Sequence, residues 1–119
     1  MKKYLPYIIT AALILIGGMI VFFPNKASGL PTTSILFVGQ GCPHCKNVED
    51  FIVANQVDKK VQFETKEVWY NQANAILMNK VWKQCGLNPT NMGVPLYWDG
   101  STCYNGEIEI VDYLKSKIK

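Results

Sequence analysis

The fold is decided by one stretch of the chain, Ile35-Leu36-Phe37-Val38-Gly39-Gln40-Gly41-Cys42-Pro43-His44-Cys45. Its four leading apolar residues predict a buried strand, and its two glycines predict a sharp turn into the cysteines. Apolar residues then recur at i, i+3 and i+4 from Val48, which predicts an amphipathic helix to about Gln56. The two cysteines are therefore expected at a strand-to-helix junction.

The two cysteines, separated by two residues, can close a small disulfide ring or hold one metal ion. We expect Cys42 at the helix N-cap and Pro43 at the first helical position, where the missing N–H of proline has no partner to lose. The free N–H groups and the positive end of the helix dipole favour the Cys42 thiolate. His44 adds a positive charge or a hydrogen bond when its ring faces that sulfur, and Cys45, deeper in the helix, resolves the mixed disulfide. The motif thus predicts a thiol–disulfide oxidoreductase, and His44 favours an oxidase over a reductase.

Two other interpretations of this pair stay open. A thiol-based copper or zinc carrier would use the same two cysteines, but a closed zinc site needs further ligands, for which the chain offers Cys85, Cys103 and His44. The other is a structural disulfide, although so tight a ring contributes little loop-closure entropy. For the oxidoreductase, no cofactor and no bound metal are predicted.

The N-terminal segment has the pattern of a membrane anchor. Met1-Lys2-Lys3 is basic and residues 4–23 contain no charge. Twenty residues of helix span about 30 Å, the thickness of a bilayer core. We therefore predict a transmembrane anchor at 1–24, a linker at 25–33 and one domain at 34–119. Ala27-Ser28-Gly29 would also suit cleavage of a signal peptide, and this alternative stays open.

The charge distribution bears on location and on partners. Lys2 and Lys3 precede the apolar segment and only Lys26 closely follows it, which predicts a single-pass protein of the cell membrane with an extracytoplasmic catalytic domain. Disulfides persist there, in agreement with four cysteines in 119 residues. From residue 30 onward nine lysines balance nine acidic residues, and the chain has no arginine. The predicted partners therefore include a lipid bilayer but no nucleic acid.

The remaining pattern predicts an α/β domain. Strands are predicted at 61–70, 94–98 and 101–104, with a helix over 75–85 and a closing helix after 106. Asp99-Gly100 predicts a two-residue hairpin turn between the last two strands. The expected order is β-α-β-α-β-β-α, with a central four-stranded mixed sheet.

With a Cys-Pro-His-Cys motif after the first strand and Val94-Pro95 opening the third, residues 34–119 resemble the thioredoxin superfamily, and the element order is most similar to glutaredoxin. The resemblance implies a thioredoxin-like fold in which Pro95 lies in a cis-proline loop beside the redox cysteines. Val94 would then offer its backbone groups to cysteine-containing protein substrates. Gly106 resembles the glutaredoxin glycine that helps to hold glutathione.

The Pro43-His44 dipeptide departs from the Pro-Tyr that glutaredoxins usually have. It resembles the dipeptide of strongly oxidising periplasmic enzymes of disulfide-bond formation. A small, membrane-tethered bacterial thioredoxin-like protein would combine the two features. For such a protein the resemblance implies re-oxidation by a quinone-linked membrane partner.

The second pair of cysteines has no motif of its own. Cys85 ends the helical stripe and Cys103 lies on the fourth strand, opposite about Leu96. The two could be buried thiols, a structural disulfide or a second redox pair that relays electrons to the first. Three aromatic residues could line a peptide groove or belong to the core: Trp69, Tyr70 and Trp98.

Overall fold

The computed structural model describes residues 3–22 and 29–119, which form a mixed α/β arrangement. In chain order the elements are α1 (Leu5–Phe22), β1 (Ile35–Val38), α2 (Pro43–Ala54), α3 (Val57–Lys60), β2 (Glu64–Glu67), α4 (Gln72–Gln84), a 3₁₀ turn (Pro89–Asn91), β3 (Leu96–Trp98), β4 (Cys103–Asn105) and α5 (Glu107–Lys117).

β1 is the strand around which the sheet is built. The strands lie in the order β2-β1-β3-β4, with β1 parallel to β2 and antiparallel to β3, and β3 antiparallel to β4. All of β1 is buried, because Leu36 and Val38 pack with α2 and α5 on one face while Ile35 and Phe37 pack with α4 on the other. A continuous apolar strand is expected where helices cover both faces. The sheet confirms the predicted α/β class and is compatible with a thioredoxin-like fold.

The first core helix is shorter than the predicted one. α2 ends at Ala54, and Asn55 as C-cap donates both its backbone N–H and its side-chain amide to the Phe51 carbonyl. Gln56 then takes a φ of 50°, in the left-handed region, and α3 follows as a separate element. The apolar periodicity does not reveal this break, because Val57 still faces the same core.

The second strand is also shorter, and it lies at the edge of the sheet. Its pairing with β1 covers only Glu64–Glu67, although the predicted strand covers 61–70. Beyond Val68 the backbone N–H groups of Trp69 and Tyr70 bond to the Glu67 carboxylate instead of a neighbouring strand. The strand ends where this side chain captures the backbone donors.

The predicted two-residue turn between β3 and β4 is wrong. Trp98 pairs with Cys103, so four residues, 99–102, connect the strands, and Cys103 lies opposite Trp98 rather than Leu96. Asp99 Oδ1 accepts hydrogen bonds from the backbone N–H groups two and three residues ahead, at 2.9 and 2.6 Å. An aspartate that bonds the following backbone stabilises this wider turn.

The transmembrane anchor predicted at 1–24 stays a prediction, because residues 1–2 and 23–24 lie outside the described residues. A helix, α1, does occupy this segment, but no helix in residues 3–22 and 29–119 is both long enough and apolar enough to cross a bilayer. At 1.5 Å per residue the 18 residues of α1 extend about 27 Å. Residues 1–2 and 23–28, which hold most of the candidate cleavage site and the start of the predicted linker, lie outside the described residues.

The last part of the predicted linker contacts the sheet. The Pro31 carbonyl accepts a hydrogen bond from Trp98 Nε1 at 2.8 Å. Gly100, at a φ of +99°, is required in the turn above, because a Cβ there would overlap the Thr32 carbonyl. Trp98 is therefore a core residue, only 3% exposed, and not part of a groove.

A disulfide joins Cys85, at the end of α4, to Cys103 on β4, with their Cα atoms 6.1 Å apart. Cys103 pairs with Trp98 and Trp98 pairs with Ile35, so Cys103 lies level with the start of β1. Cys42 instead follows the end of β1. β1 alone separates these levels by about 10 Å. The two disulfides therefore lie at opposite ends of the sheet and do not exchange directly in this conformation.

We expect the double variant Cys85→Ala/Cys103→Ala to lose about 3 kcal/mol of unfolding free energy, because this disulfide closes a loop of roughly 19 residues. Urea denaturation of the full chain under non-reducing conditions measures the loss. Wild type and variant should become nearly equal once both are reduced. Equal stability without reductant would show that the disulfide does not support the fold.

Candidate active site

Cys42 is the N-cap of α2, and Pro43 occupies the first helical position. The Cys42 backbone is extended, and its Sγ accepts a hydrogen bond from the Cys45 N–H at 3.2 Å. The chain reaches this point through a tight turn in which the Cys42 N–H bonds the Gly39 carbonyl at 3.1 Å and Gly41 takes a φ of +86°. Glycine permits that backbone conformation without strain. The strand-to-helix junction expected from the sequence is present.

Cys42 and Cys45 are at disulfide distance, with their Cα atoms 5.2 Å apart. Cys45 is 2% exposed and belongs to the core cluster between α2, α5 and the sheet. Cys42 is 6% exposed, but it lines a surface groove together with Gly41, Lys46 and Glu67. Of the two sulfurs, that of Cys42 is the one a reacting group can approach from this groove.

The loop before β3 meets the cysteine pair. The Val94–Pro95 peptide bond is cis, and the Val94 carbonyl oxygen lies 3.9 Å from Cys42 Sγ. Pro95 is fully buried, and its carbonyl accepts a hydrogen bond from the Gly106 N–H at 3.0 Å. The structure thus brings together Cys42, Val94, Pro95 and Gly106, which are widely spaced in the sequence.

His44 does not bond to the sulfur of Cys42. Its Nδ1 lies 2.8 Å from Glu107 Oε2, at the start of α5, and its side chain is 72% exposed. The same oxygen accepts a hydrogen bond from Asn47 Nδ2 at 3.1 Å. The hydrogen bonds from His44 and Asn47 lower the pKa of the Glu107 carboxyl from its ordinary value. The sequence marks Glu107 only as an acid in the first turn of a helix, so this pairing was not predicted.

A groove of about 650 Å³ runs between the redox motif and α5. We call it the α5 groove, and its lining includes His44, Val94, Pro95, Gly106, Glu107 and Ile108. Ile108 is 77% exposed and provides an apolar surface. The groove offers backbone and apolar surface to an extended chain, and its lining residue Val94 is also the one whose carbonyl contacts Cys42 Sγ.

Residues at and just after the end of β2 contact the turn that precedes the cysteines, through a hydrogen bond from the Gln40 N–H to Glu67 and through packing of Trp69 on Gly39. Partial desolvation raises the pKa of Glu67, but hydrogen bonds from the backbone N–H groups of Tyr70, Trp69 and Gln40 outweigh it and lower that pKa from its ordinary value. The indole of Trp69 covers Gly39 so closely that a Cβ there would overlap it. Trp69 and Tyr70 are 55% and 78% exposed, so they lie at the rim of this turn and not in the core.

The metal-carrier alternative would hold copper or zinc through the same two cysteines, and a closed zinc site needs further ligands beside them. Within the described ranges, no group of three or more His, Cys, Asp or Glu side chains is arranged to hold a metal ion.

Comparison with known proteins finds no matching family model and no similar curated sequence. What is shown is a mixed α/β domain with a redox-capable cysteine pair.

We expect Gly39→Ala to displace the Trp69 indole and to lower the unfolding free energy by about 1 kcal/mol, because the added Cβ overpacks the turn. Tryptophan emission should shift to longer wavelength, since Trp82 and Trp98 stay buried and only Trp69 moves. Gly93→Ala is the matched control, because its Cβ would meet only the Asn91 carbonyl, at 3.9 Å. Identical emission and stability in the two variants would contradict the proposed packing.

Proposed function

We propose that this protein is a thiol–disulfide oxidoreductase with a thioredoxin-like fold of the glutaredoxin type, acting on cysteine-containing proteins. Cys42 is the sulfur that the substrate attacks, and Cys45 is the thiolate that leaves in this step and the thiol that resolves the mixed disulfide in the reverse direction. The observation that carries the proposal is the position of Cys42 Sγ, which caps α2 and accepts the Cys45 N–H. A thiolate at a helix N-terminus is stabilised by the free N–H groups and the dipole, so it is a good leaving group.

The reaction proceeds by two thiolate displacements. A substrate thiolate attacks Cys42 Sγ, the Cys42–Cys45 bond breaks, and Cys45 leaves as a thiolate that takes up a proton. A second substrate thiolate then attacks the substrate sulfur of the mixed disulfide, and Cys42 leaves as the stabilised thiolate. Two electrons pass from the substrate dithiol to the pair, and the substrate gains a disulfide.

The loop at Val94 supports a site for the substrate backbone. Its carbonyl lies 3.9 Å from Cys42 Sγ, and Val94 also lines the α5 groove. An extended peptide that pairs with Val94 would bring its own cysteine next to this sulfur. Pro95 holds the loop, because it is buried and bonded through its carbonyl to Gly106.

We propose an extracytoplasmic location and the oxidising direction. The Cys85–Cys103 disulfide supports an oxidising compartment, because cytosolic thiols are usually kept reduced. Stabilisation of the Cys42 thiolate favours the reduced pair, which makes the disulfide a stronger oxidant. Each turnover leaves a dithiol, so the cycle needs an oxidant, for which a quinone-linked membrane partner is proposed.

We expect Cys42→Ser to reduce the oxidation of reduced, unfolded ribonuclease A to the uncatalysed rate, because the attacked sulfur is lost. With oxidised glutathione as the oxidant of the assay, Cys45→Ser should accumulate a mixed disulfide through Cys42 that mass spectrometry detects after acid quenching, because no neighbouring thiol can displace it. The variant Cys85→Ala/Cys103→Ala should retain turnover, because that disulfide lies at the other end of the sheet. Turnover by Cys42→Ser would exclude the proposed mechanism.

The direction of electron flow is tested by the reduction potential of the full chain carrying Cys85→Ala/Cys103→Ala, equilibrated in glutathione buffers. We expect a potential nearer to about −120 mV than to about −270 mV, as for a disulfide donor. A value near the lower figure would make the protein a reductase that receives electrons, while leaving the exchange chemistry intact.

A further inference from the structure

We infer that Glu107 is a positioning residue that holds the His44 ring at the start of α5 and offsets its positive charge, so that the Cys42–Cys45 pair is less oxidising than its Pro-His dipeptide alone would make it. The inference rests on the proposed function, in which stabilisation of the Cys42 thiolate sets the strength of the oxidant. It concerns a residue outside the redox motif, brought to it by the fold.

Two side chains of α2 bond to the same carboxylate at the start of α5. His44 and Asn47 are three residues apart and therefore share a face of α2. Both bond to a single carboxylate oxygen, Glu107 Oε2, at 2.8 and 3.1 Å. Asn47 thus fixes the position of the carboxylate, and the carboxylate fixes the ring.

The hydrogen bond to Glu107 determines which nitrogen of the His44 imidazole carries a proton. An ionised carboxylate only accepts hydrogen bonds, so Nδ1 of His44 carries the proton. The ring is then either an imidazolium or the neutral Nδ1–H form. In the described part of the chain neither ring nitrogen bonds to a sulfur, so the cation that would stabilise the Cys42 thiolate is committed to Glu107.

The sign of the effect follows from charge. The His44–Glu107 pair contributes no net charge when the ring is an imidazolium and one negative charge when it is neutral. Removing the carboxylate makes the surroundings of Cys42 more positive in either case. A more positive environment favours the thiolate and hence the reduced pair, so the disulfide becomes more oxidising.

A simpler role for Glu107 is to begin α5. Acidic residues in the first turn interact favourably with the helix dipole, and Glu109 lies in the same turn. That role, and the docking of α2 on α5 through Asn47, would appear in stability alone. A change in reduction potential separates the positioning role from it.

The test compares Glu107→Gln with Glu109→Gln in the full chain, each equilibrated with glutathione. Glu107→Gln should shift the equilibrium constant about two- to fivefold toward the oxidising side, the range for an exposed ion pair, which corresponds to roughly 10–20 mV. Glu109→Gln removes the same charge from the same turn, but Glu109 bonds the Asn105 N–H and not His44. Its shift should be clearly smaller.

The dependence on His44 is tested by a double variant. In a His44→Gln background, Glu107→Gln should shift the equilibrium less than it does beside His44, because only the loss of the carboxylate charge remains and there is no ring to release. If Glu107→Gln does not fold, Glu107→Ala gives the same comparison, because it also removes the carboxylate from Nδ1 and alanine is a good helix former.

A spectroscopic readout is available because His44 is the only histidine of the chain. Its imidazole nitrogen resonances should report a protonated Nδ1 in the wild type, change in Glu107→Gln and stay unchanged in Glu109→Gln. Equal potential shifts for the two glutamate variants, or no shift for Glu107→Gln, would overturn the inference. If the variants show these shifts but the wild type has no turnover, the result would count against the proposed function alone.

Discussion

The burial of β1 on both faces is the constraint on which the rest of the structure depends. Its four residues lie between two helix layers and pair with strands on both edges. Each fully buried side chain of this size contributes about 1.5–3 kcal/mol relative to an exposed one. The parallel partner leads to the turn at Glu67, and the antiparallel partner begins beside Pro95. The end of β2 and the start of β3 therefore both lie beside the end of β1, where the chain turns into the cysteines.

The chemistry of the site comes from three elements that meet at this point. The start of α2 supplies two sulfurs and the hydrogen bond that caps the helix through Cys42. The loop before β3 supplies the Val94 carbonyl beside that sulfur. The start of α5 supplies Glu107, whose carboxylate lies 2.8 Å from Nδ1 of His44. In our inference, the redox motif is one part of a charge arrangement in which Glu107 of α5 opposes the oxidising effect of the Pro-His dipeptide.

The two disulfides have different surroundings and, in our proposal, different roles. Cys42–Cys45 closes a ring within one helical turn, so it adds little to chain stability and is placed for exchange at a groove. Cys85–Cys103 closes a longer loop between α4 and β4 at the far end of the sheet. A direct relay between the pairs, one of the interpretations that the sequence allows, is not compatible with this separation.

The sequence by itself determined the elements whose signals are local. These are the apolar run of β1, the glycine turn, and the N-cap geometry at Cys42 and Pro43, because periodicity and capping act over a few residues. It misjudged the β3–β4 turn, since the Asp99 side chain outweighs the Asp-Gly signal. Only the tertiary structure decided the partner of His44, because Glu107 lies 63 residues away and no local pattern joins the two. Hydrogen bonds between distant segments follow from how helices pack on a common sheet, and that packing is not encoded in any short stretch of the chain.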